Sequence, residues 1–251
     1  MYGFVAIVPV TQTLRVTWTP TVAQRWVAAA GELLLGARCH GCGAAWWGVC
    51  PDCRTELAAR LPRWIRPDPC PTGFPRTVAS STYDPLLRGL INAHKERQAL
   101  GLTPVLGRRL ALSVQALLYA REVEPGSAVR LVPIPSAARA VRERGFDATA
   151  AMARTAARRL RPGYRTSVTT ALVQAPGVRD QAGLDAHARQ ANLAGGFRPR
   201  GRLPGPPVVL VDDLVTTGSS LTEATRVLRR AGIPVLGAAT VAATTRRGRV
   251  D

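Results

Sequence analysis

The stretch that most constrains the fold is residues 208–220, which read Val-Val-Leu-Val-Asp-Asp-Leu-Val-Thr-Thr-Gly-Ser-Ser. Four apolar residues, three of them valine, predict a strand that is buried on both faces. Two carboxylates, Asp212 and Asp213, follow that strand, and a loop of hydroxyl residues around one glycine comes next. Ser220 and Glu223 then have the spacing of a capping box, and apolar residues recur at helical intervals, which predicts a helix.

This segment has the chemistry of a phosphate site beside a second polar site. Backbone N–H groups and hydroxyls of the loop meet the positive end of a helix dipole, which favours a phosphate. The adjacent carboxylates would repel that phosphate, so we expect them to face hydroxyl groups or a metal ion. A phosphorylated sugar satisfies both requirements. The alternative is an ordinary strand, turn and helix whose acids serve no ligand.

The segment resembles the signature with which type I phosphoribosyltransferases bind 5-phosphoribosyl 1-pyrophosphate (PRPP). The shared pattern is an apolar strand, an Asp-Asp pair and a Thr-Thr-Gly-Ser loop. Neither the Gly-Lys-Ser/Thr of a P-loop nor the GxGxxG of dinucleotide-binding folds is present in the segment. The resemblance implies an α/β fold in which a parallel sheet of the type I phosphoribosyltransferase kind is flanked by helices.

Four clustered cysteines form two C-x-x-C knuckles that are separated by seven residues. Each knuckle can supply two thiolates from one tight turn, so four sulfurs can surround a structural zinc ion tetrahedrally and leave no open position. A thiol-redox pair is the alternative, although two knuckles at this distance favour a zinc ribbon. The predicted ligands are Cys39, Cys42, Cys50 and Cys53, and Cys70 is interpreted as a linker thiol.

A proline-rich stretch at 62–75 is the predicted boundary between a small module and a larger α/β part. Beyond it, short apolar runs alternate with helical patterns, as in a parallel sheet. The predicted strands are 77–83, 129–135, 168–173, 208–211 and 235–241, and the predicted helices are 21–36, 84–97, 103–121 and one running from the segment 139–147 through Ala156. The predicted units are a flexible extension (1–20), the helix, zinc module and linker (21–75), the phosphoribosyltransferase-like domain (76–245) and a basic tail (246–251).

The formal charge is +18, and residues 76–251 carry most of the excess, with 27 basic and 12 acidic residues. Such a field attracts polyanions, including nucleic acid. An arginine-rich composition is the alternative explanation, since arginine outnumbers lysine 33 to 1. Aromatic residues make up only 5% of the chain, which leaves few stacking platforms for bases. No run reaches the roughly 20 apolar residues of a membrane span, and we expect a cytoplasmic protein.

Three further features have a functional interpretation and an alternative. Lys95 is the only lysine, which favours a requirement for a compact ammonium, although a surface lysine placed by chance explains it equally well. The basic segment 139–147 follows a predicted parallel strand and could hold a pyrophosphate, or it could be a solvated helix face. The polar stretch 179–197 is interpreted as an active-site cover or as a solvated loop.

As a whole the chain resembles the ComF family, in which a four-cysteine zinc module precedes a type I phosphoribosyltransferase-like domain. The resemblance covers about residues 30–244 and departs from the family at Asp147, where asparagine is usual, and at His94, where an aromatic residue is common. Asp147 would weaken an anion site beside it. The residues that carry the resemblance are the cysteine knuckles, Lys95, the runs 132–135, 142–147 and 211–218, and Gln181-x-x-Leu184 with Arg189-x-x-Asn192.

The ComF resemblance implies a role for each motif residue. Asp212 and Asp213 would hold the ribose hydroxyls of PRPP, and Lys95 and Arg144 would face its pyrophosphate. A Mg²⁺ ion would bridge pyrophosphate and ribose. Asp212, Asp213 and Lys95 are the predicted catalytic residues. The 5-phosphate would lie in a loop formed by Thr216, Thr217, Gly218, Ser219 and Ser220.

The resemblance leaves two classes of function open. As an enzyme, the protein would transfer phosphoribosyl from PRPP to an unidentified acceptor and release pyrophosphate, in connection with DNA uptake in competent bacteria or nucleic-acid handling. As a binding protein, it would hold single-stranded DNA or RNA on its basic surface and use the PRPP site as a sensor. Under either interpretation, proteins of a DNA-uptake system are possible partners. A site for another phosphorylated metabolite is a third alternative.

Overall fold

The computed structural model describes residues 37–175, 196–201 and 205–244. The helices in these ranges are α1 (Pro51–Ala59), α2 (Pro85–Glu96), α3 (Thr103–Ala120), α4 (Ala138–Arg144), α5 (Ala148–Leu160) and α6 (Ser219–Arg230), with a 3₁₀ turn at Leu100–Leu102. The strands are β1 (Arg63–Ile65), β2 (Thr77–Ala79), β3 (Ala128–Pro133), β4 (Arg165–Val168), β5 (Leu172–Gln174), β6 (Phe197–Pro199), β7 (Val208–Val215) and β8 (Val235–Ala243).

The main sheet has the strand order β1-β2-β8-β7-β3-β4. Every neighbouring pair is parallel except β1 and β2, which are antiparallel. Strand β7 lies near the centre, and its first four residues are completely buried. The run of apolar residues at 208–211 therefore predicted the doubly covered strand correctly, and the α/β fold with a mainly parallel sheet is confirmed.

Alternate residues of β7 face two separate layers, as the two-residue period of a strand requires. Val209 and Val211 pack in one hydrophobic cluster with residues of α2, α3 and α5. Val208 and Leu210 pack in a second cluster with residues of α6 and of the small antiparallel pair β5–β6. The sheet is thus covered on both faces, and the carboxyl ends of its parallel strands are left at one edge.

The prediction of a single strand at 168–173 was wrong. Residues Arg165–Val168 form β4 in the main sheet, whereas Leu172–Gln174 belong to the separate β5–β6 pair. Between them the N–H of Thr169 still donates to Leu131 O of the main sheet at 3.0 Å, and the N–H of Arg200 donates to Ala171 O at 2.8 Å. The chain therefore changes sheets within three residues, a turn that a continuous run of β-forming residues conceals.

The cysteine module shares the hydrophobic cluster that contains α2 and α3, because Cys39, Val49 and Leu57 are buried in it. Within the proline-rich stretch, β1 pairs with β2 and so extends the main sheet. None of the described helices combines the length and apolar composition needed to cross a bilayer. The predicted extension, the helix at 21–36, nearly all of the cover at 179–197 and the basic tail lie outside the described residues.

Candidate functional site

Two acids of β7 and the one lysine of the chain meet at the carboxyl edge of the sheet. Lys95 Nζ lies 2.7 Å from Asp213 Oδ2. The backbone N–H of Asp213 donates to Asp212 Oδ1 at 2.9 Å. Helix α2 carries the lysine. Asp84 caps its first turn by accepting a hydrogen bond from the N–H of Leu87, and Lys95 stands in its last turn.

The two carboxyl groups titrate in opposite directions. Burial, reinforced by the neighbouring Asp213 charge, holds the pKa of Asp212 well above its usual range. Burial also acts to raise the pKa of Asp213, but the charge and hydrogen bond of Lys95 outweigh it and lower that pKa. Asp213 is therefore the ionised partner of Lys95, while Asp212 is a poorly stabilised charge that a ligand with hydroxyl groups or a cation would stabilise.

Arg144 adds a second cation to this edge. Its side chain is 12% exposed, and its guanidinium lies 3.8 Å from a carboxylate oxygen of Glu96, the residue after Lys95. The Arg144 charge is close enough to oppose the protonation of Lys95 and to help lower the pKa of His94, which burial lowers first. An anion placed between Lys95 and Arg144 would relieve this repulsion.

The basic segment 139–147 does not form one helix with the residues after it. Helix α4 ends at Arg144 because Gly145 adopts a positive φ of 73°, and α5 begins after Asp147. Asp147 Oδ1 accepts a hydrogen bond from the N–H of Ala150 at 3.0 Å, so the carboxylate serves as an N-cap. Asparagine could cap the helix equally well, which gives the family difference at this position a structural explanation.

His94, the second departure from the family pattern, is completely buried. Its ring stands edge-on to Phe146, with ring centroids 5.4 Å apart, and its Nε2 lies 2.8 Å from Thr103 Oγ1. The histidine thus occupies the place of an aromatic core residue between α2 and the turn before α5.

The loop of residues 216–220 connects β7 to α6. Gly218, at a φ of 77°, is the residue before the helix, which begins at Ser219. The predicted capping box was therefore wrong: Ser220 is already inside the helix, and Glu223 forms an ion pair with Arg226 at 2.6 Å. Thr217 Oγ1 and Ser219 Oγ lie 3.0 Å apart. A helix that starts at a residue with no side chain can direct its first N–H groups to an anion.

Sequence reasoning missed the residues that cover this loop. A Cβ on Gly218 would lie 2.6 Å from a ring atom of Phe74 and 3.0 Å from Pro67 Cγ, so both side chains pack directly on the glycine. The proline-rich stretch that was interpreted as a linker therefore forms one wall of the hydroxyl loop. Prolines and an aromatic residue in a linker were the available signal, but nothing local indicated their contact.

Replacement of Gly218 by alanine is expected to destabilise the fold. Alanine disfavours the positive φ at this position, and its Cβ would clash with Phe74. Strain of this kind costs roughly 1–3 kcal/mol. Chemical denaturation of Gly218→Ala measures it, and alanine at Gly126, whose positive φ is similar but whose surroundings are open, is the control for backbone strain alone. Equal losses for the two variants would contradict the packing contribution of Phe74.

The four predicted metal ligands lie together. Their sulfur atoms are all within 4.8 Å of one another. Cys39 Sγ is 3.8 Å from Cys53 Sγ, and Cys42 Sγ is 3.6 Å from Cys50 Sγ. Tetrahedral zinc with bonds of about 2.3 Å places its sulfurs about 3.8 Å apart. These distances are too long for disulfides, and the four cysteines could hold a zinc ion.

Backbone N–H groups point at the sulfur atoms, as they do in metal-thiolate knuckles. The N–H groups of Gly41 and Cys50 both approach Cys39 Sγ, at 3.4 and 3.3 Å. Burial raises the pKa of Cys39, but these hydrogen bonds and one from Cys42 lower it overall to about 7. His40 lies outside the group of atoms close enough to share a metal, in agreement with the four-thiolate prediction.

Comparison with known proteins identifies the family. The phosphoribosyl transferase domain matches residues 148–251. DNA utilization protein YhgH of Salmonella typhi is 30% identical over 200 residues, which cover 74% of this chain and 86% of the relative. The YhgH protein of Escherichia coli K12 is 29% identical over 203 residues, with the same coverage.

The chain belongs to the ComF family. In this ComF protein, the cysteine module packs against α2, the helix that carries Lys95. A Cβ on Gly89 of α2 would lie only 2.2 Å from His40 O, so only glycine allows the first knuckle to approach this closely. Arg60, just after α1, forms an ion pair with the α2 cap residue Asp84 at 2.6 Å. The cysteine cluster is thus connected to the lysine through one rigid helix.

Of the residues that the ComF resemblance pointed to, the structure brings Asp212, Asp213 and Lys95 together, with Arg144 close by. The hydroxyl loop follows these acids on the same strand, because β7 continues to Val215. The cysteine module packs on α2 at Leu86 and Gly89, about two turns before Lys95. The motif at 181–192 lies outside the described residues.

Proposed function

We propose that this ComF protein binds PRPP with Mg²⁺ at the carboxyl end of β7. One observation carries the proposal: a half-buried Lys95–Asp213 ion pair lies beside Asp212, on the strand that leads into a hydroxyl loop and a helix that begins after a glycine. Such an arrangement offers a phosphate site in the loop and a diol site at the acids. The two sites lie close together because the loop follows the acids directly in the chain. The match of the phosphoribosyl transferase domain supports it.

The protein groups would act by position and charge. Residues 216–220 would hold the 5-phosphate, and Asp212 and Asp213 would accept hydrogen bonds from the ribose hydroxyls. Lys95 and Arg144 would stabilise the departing pyrophosphate at the anomeric carbon. Mg²⁺, when bound with PRPP, would supply further charge neutralisation. The described residues 37–75 are proposed to form a zinc-holding module that supports this larger domain.

Titration calorimetry tests the proposal. The wild-type protein is expected to give heat with PRPP in Mg²⁺, and to lose most of its affinity in EDTA, because the pyrophosphate would then meet the carboxylates unshielded. Ribose 5-phosphate, which lacks the pyrophosphate, is expected to bind more weakly by at least about tenfold, the loss of one charge-assisted contact. Absence of heat with PRPP would overturn the proposal.

Release of pyrophosphate across a panel of bases and oligonucleotides then separates an enzyme from a sensor. Turnover with any acceptor identifies a phosphoribosyltransferase, whereas binding without turnover identifies a ligand sensor. The nucleic-acid alternative is favoured by the charge of +18 and by relatives named DNA utilization proteins. We propose single-stranded DNA as the polyanion, in a cytoplasmic setting and together with proteins of DNA uptake.

A further inference from the structure

A groove lies between α5 and the edge strand β4, on the side of the main sheet opposite to β1. Its volume is about 340 Å³. Arginines of α5 and of its C-cap line one wall, and hydroxyl residues of β4 and of the turn after it line the other. The polar lining residues include Arg154, Arg158, Arg161, Ser167 and Thr170. We refer to this surface as the α5–β4 groove.

The positive charge of the groove is not balanced by carboxylates. All three arginines are exposed, and no acidic residue occurs between positions 148 and 175. Within the described ranges, Arg154 and Arg161 form no ion pair and no side-chain hydrogen bond, and Arg158 donates only to Thr155 Oγ1 at 3.2 Å.

Some arginines elsewhere on the surface are paired with carboxylates. Arg60 pairs with Asp84, Arg139 with Glu143 and Arg226 with Glu223. Other exposed arginines of the described ranges, among them Arg121, Arg229 and Arg230, also form no ion pair. The groove differs from them in bringing three such side chains together along one pocket beside hydroxyl groups.

The three arginines of the groove form a row along the helix rather than one cluster. Arg154 and Arg158 stand four residues apart on α5, and Arg161 follows three residues later as the C-cap, still in helical conformation, so the three share one face. At a rise of about 1.5 Å per residue, the row is about 10 Å long. Guanidinium groups only donate hydrogen bonds, and their planar fork matches the oxygens of a phosphate. A short run of phosphates complements such a row better than one isolated anion does.

We propose that the α5–β4 groove binds the sugar–phosphate backbone of single-stranded DNA. The groove has no aromatic lining residue among those described, so it offers no platform for base stacking, and binding would be independent of sequence. A groove of about 340 Å³ can follow one flexible backbone, whereas a rigid duplex presents a wide convex surface. The proposal rests on the nucleic-acid part of the proposed function and does not require PRPP to bind.

One end of the groove lies next to the strand that carries the two acids, and its lining includes none of the predicted PRPP-binding residues. Pro133 lines the groove, and in the sheet it is paired with Val211, the residue before Asp212. Adjacent strands are about 4.8 Å apart. DNA that contacts Pro133 would therefore lie about one strand spacing from the acids and cover none of their side chains, so DNA and PRPP could be held at the same time.

Fluorescence anisotropy with a labelled oligothymidylate of about 16 nucleotides tests this surface. The variant Arg154→Ala/Arg158→Ala/Arg161→Ala is expected to lose at least about tenfold in affinity at low salt. The slope of log affinity against log salt should become shallower by about 2, as three phosphate contacts on a single strand require. The matched control, Arg121→Ala/Arg229→Ala/Arg230→Ala, removes three exposed arginines elsewhere and should stay within about twofold of wild type.

Each other result decides against the proposal. Unchanged DNA affinity in the groove variant, or equal losses in the control variant, would mean that the groove is not the binding surface. Displacement of DNA by millimolar inorganic phosphate as effectively as by an unlabelled strand would mark a small-anion site. Displacement by poly-glutamate at equal charge would mark a surface for acidic peptides.

Calorimetry with PRPP on the groove variant separates this proposal from the PRPP proposal. The groove variant should bind PRPP as the wild type does. If the wild type binds DNA but no PRPP, and only the groove variant loses DNA affinity, the PRPP proposal is wrong and the groove proposal is supported.

Discussion

Replacement of Asp212 by asparagine is expected to make the folded chain more stable at neutral pH and to weaken PRPP binding. Burial and the Asp213 charge raise the pKa of Asp212, so its ionised form is unfavourable in the fold. The amide removes that charge without changing the shape of the side chain. It also removes an acceptor for the ribose hydroxyls, which is expected to reduce PRPP affinity about 10- to 100-fold, the effect of one hydrogen bond to a charged group.

The same substitution should change how stability depends on pH. A carboxyl whose folded pKa is raised contributes stability below the unfolded pKa of about 3.9 and loses it as the pH rises through the folded pKa. The melting temperature of the wild type should therefore fall as the pH rises between the unfolded and the folded pKa of Asp212. Asp212→Asn should lack this fall. Thermal melts at a series of pH values, with PRPP calorimetry on the same samples, measure both effects.

Asp213→Asn is the matched control, because it makes the same chemical change one residue away with the opposite expectation. Lys95 lowers the pKa of Asp213, so the ionised Asp213 stabilises the fold, and the amide would leave Lys95 without its partner. This variant should be less stable than wild type at neutral pH. If both variants shift stability in the same direction, it is wrong that the ionised form of Asp213 is favoured in the fold and that of Asp212 is disfavoured.

The parts of the site that the sequence predicted are those with a local pattern. Four apolar residues before Asp212, three of them valine, with a glycine-containing loop soon after, predict a central buried strand. The spacing of the cysteines likewise predicts their cluster, because each pair lies in one turn. Asp84 before Pro85 predicts a helix start, because aspartate is a good N-cap and proline fits the first helical position.

What the sequence could not show are contacts between distant residues. Arg109, on α3, is 4% exposed and donates to Leu57 O at 2.7 Å and Arg60 O at 2.8 Å at the end of the cysteine module. It also donates to Ser80 O, just after β2. No pattern around an arginine in a helix indicates that it joins three segments. The contact of Phe74 with Gly218 was invisible for the same reason.

These long-range contacts make the cysteine module part of the support of the proposed PRPP site. The first knuckle touches α2 at Gly89, and Arg60 pairs with the cap residue of α2. Arg109 ties the module to the strand that precedes α2. Because Lys95 stands in the last turn of α2, a displaced module is expected to displace the lysine from Asp213.

Loss of zinc is therefore expected to damage the fold and the PRPP site together. The wild type should contain about one zinc ion per chain, and Cys39→Ser/Cys42→Ser should contain none, because two ligands cannot complete a tetrahedral shell. Structural zinc supplies about 10–16 kcal/mol in small modules, so the variant should melt at a much lower temperature. Its PRPP affinity should fall even where it remains folded. Metal analysis, thermal melts and calorimetry measure these effects, and Cys70→Ser, which removes a thiol outside the cluster, should retain zinc, stability and affinity. A double variant that lacks zinc yet keeps wild-type stability and affinity would contradict the coupling between the cysteine cluster and Lys95.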